Sequence, residues 1–166
     1  MMELTEYRIQ LIMNLETSAQ DFRNVCLAVS DPYAPIEQGG WNTHQLAAHT
    51  RDVDKLVYGM RARRTLEENN PQFDNFDGDA YMAEHYDSRE DLRSMLDGFA
   101  ANVSSLANIL RGLPAQAWAR DGKCEESEVI IKSGKTSAIL DGLRRFFLFL
   151  VLPKWELNER CKPTQE

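Results

Sequence analysis

One histidine on the apolar face of a predicted helix carries most of the chemistry that this sequence offers. The stretch 40–49, Gly-Trp-Asn-Thr-His-Gln-Leu-Ala-Ala-His, has a polar cap followed by helix-forming residues. At about 100° per residue, His49 falls about 40° from Val53 on the apolar stripe, whereas His44 falls about 180° away and is predicted to face solvent. A buried imidazole needs a hydrogen-bonding group or a metal ion at both ring nitrogens. From the residues alone, a core histidine satisfied by hydrogen bonds is favoured over a metal ligand.

Length and charge restrict the classes of function. The 166 residues predict a single domain spanning 1–166, and 43% hydrophobic residues are ordinary for a soluble globular protein. A net charge of −7 argues against nucleic acid as a partner, because phosphate binding relies on Lys and Arg. The longest dense apolar run, 146–152, is too short for a membrane span, and the first residues do not resemble a secretory signal. We therefore expect a cytoplasmic protein.

The three cysteines do not predict a disulfide framework, because their number is odd and they form no Cys-x-x-Cys pair. Cys26 lies on a helical stripe and is expected to be a small buried residue. Cys124 and Cys161 are expected to be exposed. Acidic neighbours disfavour a reactive thiolate.

Four amphipathic stripes predict an all-α four-helix bundle with a short irregular or hairpin segment before the last helix. The first helix is predicted over 4–29. The second begins at a cap formed by Asn42 or Thr43. The third begins at Ser88 with Asp91 and ends at Gly112, and the fourth runs from near Thr136 to Pro153. A short helical turn is predicted over 79–86, and 118–133 reads equally as a hairpin or an ordered loop.

The second helix resembles that of a known family. Trp41, a short polar cap and the run Leu46-Ala47-Ala48-His49 are similar to the second-helix signature of the DinB/YfiT-like superfamily, which includes the amino-terminal domain of mycothiol-dependent maleylpyruvate isomerase. The resemblance implies a bundle that is commonly dimeric. It also implies a divalent metal, zinc or nickel, bound by the second-helix histidine and by two residues four apart on the fourth helix.

His49 matches the first ligand of that site, but the other two ligands are missing. Their expected positions hold Phe147 and Val151, neither of which can bind a metal, and no histidine follows His85. Glu156 lies beyond Pro153, and its i+4 neighbour is Arg160. The remaining route to a metal site is recruitment of His85 with Glu84, a pair that is more typical of a solvated turn. No bound cofactor is therefore expected, although the resemblance keeps a divalent metal open.

The far side of the fourth helix needs a second packing surface, because the apolar residues Leu148 and Leu152 lie about 140° and 180° from the inward stripe of that helix. The segment 118–133 or a symmetric partner could supply it, and the resemblance favours a homodimer.

These observations predict a DinB/YfiT-like bundle with a degenerate metal site, which binds a small ligand or acts as a non-catalytic dimeric module. The alternative is a metal-dependent thiol transferase or isomerase of the maleylpyruvate isomerase type that uses His49. His49 could also act without metal as a general acid or base. A ferritin-like di-iron bundle is excluded, because its paired Glu-x-x-His motifs are absent.

Overall fold

The computed structural model describes residues 4–36, 40–120 and 122–124. Along the chain its elements are α1 (Leu4–Ala28), α2 (Thr43–Val53), a π-helical turn (Asp54–Tyr58), α3 (Gly59–Glu67), β1 (Gln72–Phe73), α4 (Gly78–His85), α5 (Leu92–Arg111), a 3-10 helix (Ala115–Ala119) and β2 (Lys123–Cys124). The predicted fourth helix lies outside the described residues, as do Phe147, Leu148, Val151 and Leu152.

Helices α1 and α5 pack together and form the main core. They are antiparallel, because Arg23 on α1 pairs with Asp97 on α5 while Glu16 pairs with Arg111 near the opposite end. The apolar faces of the two helices interdigitate. The Phe22 ring packs edge-on against the Phe99 ring on α5, with centroids 5.9 Å apart. The core members that these helices supply are Leu11, Ile12, Leu15, Ala19, Phe22, Cys26, Leu96, Phe99, Val103, Leu106, Ala107 and Leu110.

Cys26 is fully buried on α1, as predicted. Burial raises the pKa of its thiol to about 12, because the thiolate would lose its hydration inside the core. Its role is therefore packing rather than reactivity. Helix α1 ends within one residue of the predicted boundary.

A capping box starts α2. The Asn42 side chain accepts from the backbone N–H of Gln45 at 2.8 Å, and the Gln45 side chain accepts from the backbone N–H of Asn42 at 3.0 Å. Of the two predicted caps, the structure therefore selects Asn42 rather than Thr43. The helix continues through the π turn into α3, so that α2 and α3 are two parts of one unbroken helical run.

The third predicted helix corresponds to α5, and its predicted cap is wrong by three residues. Asp91, not Ser88, caps α5, accepting from the backbone N–H of Ser94 at 2.8 Å. Ser88 instead uses its carbonyl to accept from the Tyr33 hydroxyl at 3.1 Å. The helix ends at Gly112 as predicted.

The short helical turn predicted over 79–86 is confirmed as α4. The segment after α5, by contrast, forms a pairing that the sequence did not indicate. Strands β1 and β2 pair in parallel, with Gln72 opposite Lys123 and Phe73 opposite Cys124. In the described part of 118–133, the partner strand therefore comes from before α4 and not from a hairpin.

Among the described helices, none combines the length and the hydrophobicity that a membrane span requires.

Arg120 fixes this segment to the end of α3. Its guanidinium donates to the carbonyls of Thr65 at 2.9 Å and Glu68 at 2.7 Å, which are among the carbonyls that a helix end leaves unpaired. Gly122 passes so close to β1 that an added Cβ would lie 2.6 Å from the Phe73 ring.

Candidate functional site

His49 lies between the loop that precedes α2 and the first residue of α4. The Trp41 ring meets the imidazole edge-on, with centroids 4.6 Å apart and planes at 62°. On another side Gly78 leaves room for the ring, because a Cβ at Gly78 would lie 2.6 Å from Cε1 of His49. His49 was predicted to be buried, and the structure shows it partly buried. Its neighbour on the predicted stripe, Val53, is buried.

The surroundings of His49 favour a neutral imidazole. Burial lowers its pKa, and the nearby carboxylates of Asp79 and Asp52 only partly oppose this effect. Asp52 is itself engaged, accepting from Arg51 at 2.9 and 3.2 Å. A neutral imidazole keeps a lone pair that can accept a proton or a hydrogen bond, or bind a metal ion.

His44 does not face solvent, and the prediction that it does is wrong. The side chain is fully buried, and its Nδ1 lies 2.9 Å from the Tyr86 hydroxyl oxygen and its Nε2 lies 2.8 Å from the Glu90 carbonyl oxygen. A carbonyl can only accept, so Nε2 carries the proton and, in the neutral ring, Nδ1 accepts from Tyr86. The Tyr33 ring stacks on the imidazole at 4.9 Å.

The wrong phase of His44 has a physical cause. Helical periodicity describes the face that packs on other helices, but the first turn of α2 is also covered by two loops. The backbone N–H of His44 donates to the carbonyl of Pro32 at 3.0 Å, and the loop 86–90 covers the ring. Both faces of this turn are therefore buried.

His85 and Glu84 are exposed on α4. The His85 ring stacks on Tyr81 with centroids 4.1 Å apart, and its Nδ1 lies 3.0 Å from the Tyr81 carbonyl oxygen. Among the residues that the structure describes, no three His, Cys, Asp or Glu side chains lie together in a way that could hold a metal ion. The recruitment of His85 and Glu84 to a metal centre with His49 is therefore not seen in that part of the chain.

The sequence reading missed a buried acid. Asp54, at the start of the π turn, is 1% exposed, and its Oδ2 has no hydrogen-bond partner in the part of the chain that the structure describes. Burial raises its pKa to about 7, against the opposing charge of Arg63. A signal was present, because Ala47, Thr50, Asp54 and Val57 recur at spacings of three and four, which places Thr50 and Asp54 on an inward stripe.

Comparison with solved structures places this fold in a known class, the four-helix bundle. The chain is similar to YfiT from Bacillus subtilis, described as a probable metal-dependent hydrolase with an unusual four-helix bundle topology. The TM-score is 0.76 at 22% sequence identity, covering 96% of this chain and 90% of that one. No family model matches the sequence, and no curated protein matches it. The likeness confirms the predicted fold.

Proposed function

We propose that this protein is a YfiT-like bundle with a degenerate metal site, which binds a small ligand at His49. The observation that carries the proposal is that two of the three histidines in the chain, His44 and His85, are engaged in contacts away from His49. His44 has both ring nitrogens within hydrogen-bonding distance of other groups inside the protein, and His85 is stacked on the exposed face of α4. A site with several histidines would have to break one of these arrangements.

The donor set at His49 does not suit a transition metal. Such sites usually have three protein ligands, and the described residues bring no such group together. The positions that the resemblance implies for the other ligands are Phe147 and Val151, whose side chains have no donor atom. We therefore assign no chemical step to a metal. The features that support ligand binding are a neutral imidazole, the Trp41 ring and the backbone at Gly78.

A metal-dependent enzyme is the second candidate. It is favoured by the lowered pKa of His49, since neutral imidazole is the form that binds metal, and by the description of the YfiT neighbour as a probable metal-dependent hydrolase. A thiol transferase or isomerase of the maleylpyruvate isomerase type belongs to this candidate.

Calorimetry with zinc and with nickel separates the two candidates. On protein without a histidine tag, we expect no stoichiometric binding and no thermal stabilisation beyond weak surface effects, because a lone imidazole competes poorly with water. His49→Ala and the control His85→Ala should behave as the unmodified protein does. Micromolar or tighter binding that His49→Ala abolishes and His85→Ala preserves would refute the degenerate site and favour the enzyme.

Ligand-observed NMR tests the binding role directly. A set of neutral heteroaromatic fragments is screened against the protein and against His49→Gln, which keeps a polar side chain but cannot take up a proton. We expect fragments whose binding is lost in the variant. A set in which no fragment depends on His49 would contradict a ligand site at this residue.

We further propose that the protein forms a homodimer through the far side of the predicted fourth helix, at Leu148 and Leu152. Both residues lie outside the described part of the chain. The proposal rests on their positions in the sequence pattern, because contiguous exposed apolar area usually marks an interface. Light scattering over a range of concentrations tests it, with Leu148→Lys as the disrupting variant. A monomer at every concentration would overturn it.

A further inference from the structure

Two buried polar atoms lie one helical turn apart on the inner face of the run formed by α2 and the π turn. They are Thr50 Oγ1 and Asp54 Oδ2, and neither has a hydrogen-bond partner among the described residues. Both residues are 1% exposed. Buried polar groups are nearly always paired, because an unpaired one loses its hydration and gains nothing in return. An unpaired carboxyl at this place calls for an explanation.

A guanidinium lies beside this carboxyl but is bonded elsewhere. Arg63 on α3 donates to the Gly59 carbonyl at 3.3 Å and to the Asn102 carbonyl on α5 at 3.4 Å, both long for hydrogen bonds. Gly59 lies between the two groups and has no side chain. A Cβ placed at Gly59 would lie 3.1 Å from Asp54 Oδ1 and 3.1 Å from Arg63 Nη1. A larger residue at 59 would fill the space through which they could meet.

Few charges act on Asp54 from the elements around it. Among the described residues, Arg63 is the charged group that interacts with it electrostatically. Helix α5 contributes the neutral carbonyl of Asn102, which Arg63 already uses. The state of Asp54 is therefore coupled mainly to the position of one guanidinium.

We propose that Asp54 and Arg63 form a proton-controlled switch inside the bundle. While Asp54 holds its proton, Arg63 bridges α3 to α5 through the carbonyls of Gly59 and Asn102. When the proton is lost to solvent, the guanidinium leaves these carbonyls and pairs with the carboxylate, and the Thr50 hydroxyl donates to the same group. A guanidinium pairs more strongly with a carboxylate, which carries the opposite charge, than with neutral carbonyls, and a buried carboxylate without a partner is costly. Above neutral pH the bridge between α3 and α5 is released.

NMR on the full chain tests the switch by following two nuclei between pH 5 and 9. The side-chain carboxyl carbon of Asp54 reports its proton, and the Nε–Hε signal of Arg63 reports the guanidinium. We expect both to change with one shared midpoint near pH 7. In Asp54→Asn, the Arg63 signal should be independent of pH. In Arg63→Gln, the Asp54 midpoint should rise, because a nearby positive charge is removed.

Asp97→Asn is the matched control, because Asp97 is a more exposed carboxylate whose arginine partner lies on another helix. It should leave the shared midpoint unchanged. The proposal is overturned if the Arg63 signal does not change with pH, if its change persists in Asp54→Asn, or if Asp54 titrates below pH 5. Should Asp54→Asn fail to fold, the unmodified chain and Arg63→Gln still decide the question.

Discussion

Replacing Asp54 by Asn should change how the stability of this protein depends on pH. The carboxyl is buried, and its pKa in the folded protein is about 7, compared with the ordinary value of 3.8. Between these two values the unfolded chain releases the proton while the folded protein keeps it. The folded state then binds more protons, so the free energy of unfolding falls as pH rises through this window.

The size of the effect follows from the difference in pKa. At about 1.4 kcal/mol for each pKa unit, the rise from 3.8 to about 7 costs the unmodified protein roughly 4 kcal/mol of stability between acid and neutral pH. Asparagine has no proton to lose. Relative to the unmodified protein, Asp54→Asn should therefore gain stability steadily from pH 4 to pH 7, and the gain should level off above about pH 7.

Urea denaturation at intervals from pH 4 to pH 8 measures this difference, with Asp97→Asn as the control for loss of a more exposed carboxylate. The slope against pH matters more than the offset at any one pH, because the amide has its own hydrogen-bonding needs. If the stability difference between Asp54→Asn and the unmodified protein did not change with pH, Asp54 would have to be ionised in the folded state at low pH. The account of its burial would then be wrong.

Two further predictions concern the surroundings of the histidines. His44→Ala should destabilise the fold by roughly 2–4 kcal/mol, because it removes two buried hydrogen bonds and leaves a cavity, whereas exposed His85→Ala should stay within about 0.5 in denaturant melts. Equal effects would mean that His44 is not buried. Gly78→Ala should displace His49 and shift its Cε1–H NMR signal, because the new methyl group would lie 2.6 Å from that carbon. Gly98→Ala is the control, because no described atom outside its chain neighbours and its own helix backbone lies within 4 Å of its Cβ position. It should leave the His49 signal unchanged and stabilise α5 by up to about 1 kcal/mol. If Gly98→Ala shifted the His49 signal as much as Gly78→Ala does, the shift could not be assigned to contact at Gly78.

The long helices were predictable from the sequence because their apolar stripes are uninterrupted. The first helix was placed to within one residue, and the end of α5 at Gly112 was correct, since both depend on local spacing and on glycine and proline signals. The start of α5 was less certain, because Ser88 and Asp91 both suit a cap and only the chain geometry selects Asp91.

The site was harder to predict, because its contacts are not local. The burial of His44 depends on loops 32–36 and 86–90, which no periodicity within α2 reveals. The pairing of β1 with β2 joins segments on either side of α4 and α5. Asp54 did lie at a spacing typical of an inward stripe, but a charged residue at such a position is usually assigned to the surface.

The π turn sets the rotation between the two halves of one helical run. Its closing bond runs from the Gly59 N–H to the Asp54 carbonyl, so the turn holds one residue more than an α-helical turn would. Deleting exposed Lys55 would close the turn to a regular α-helix, and because the turn already absorbs one extra residue, Arg63 would keep its face toward α5. A deletion between the π turn and Arg63 would instead rotate everything beyond it by about 100°, so that Arg63 would turn away from α5 while His49 kept its place beside Trp41. The π turn is therefore the place where this helical run could lose one residue and still keep its two faces in register.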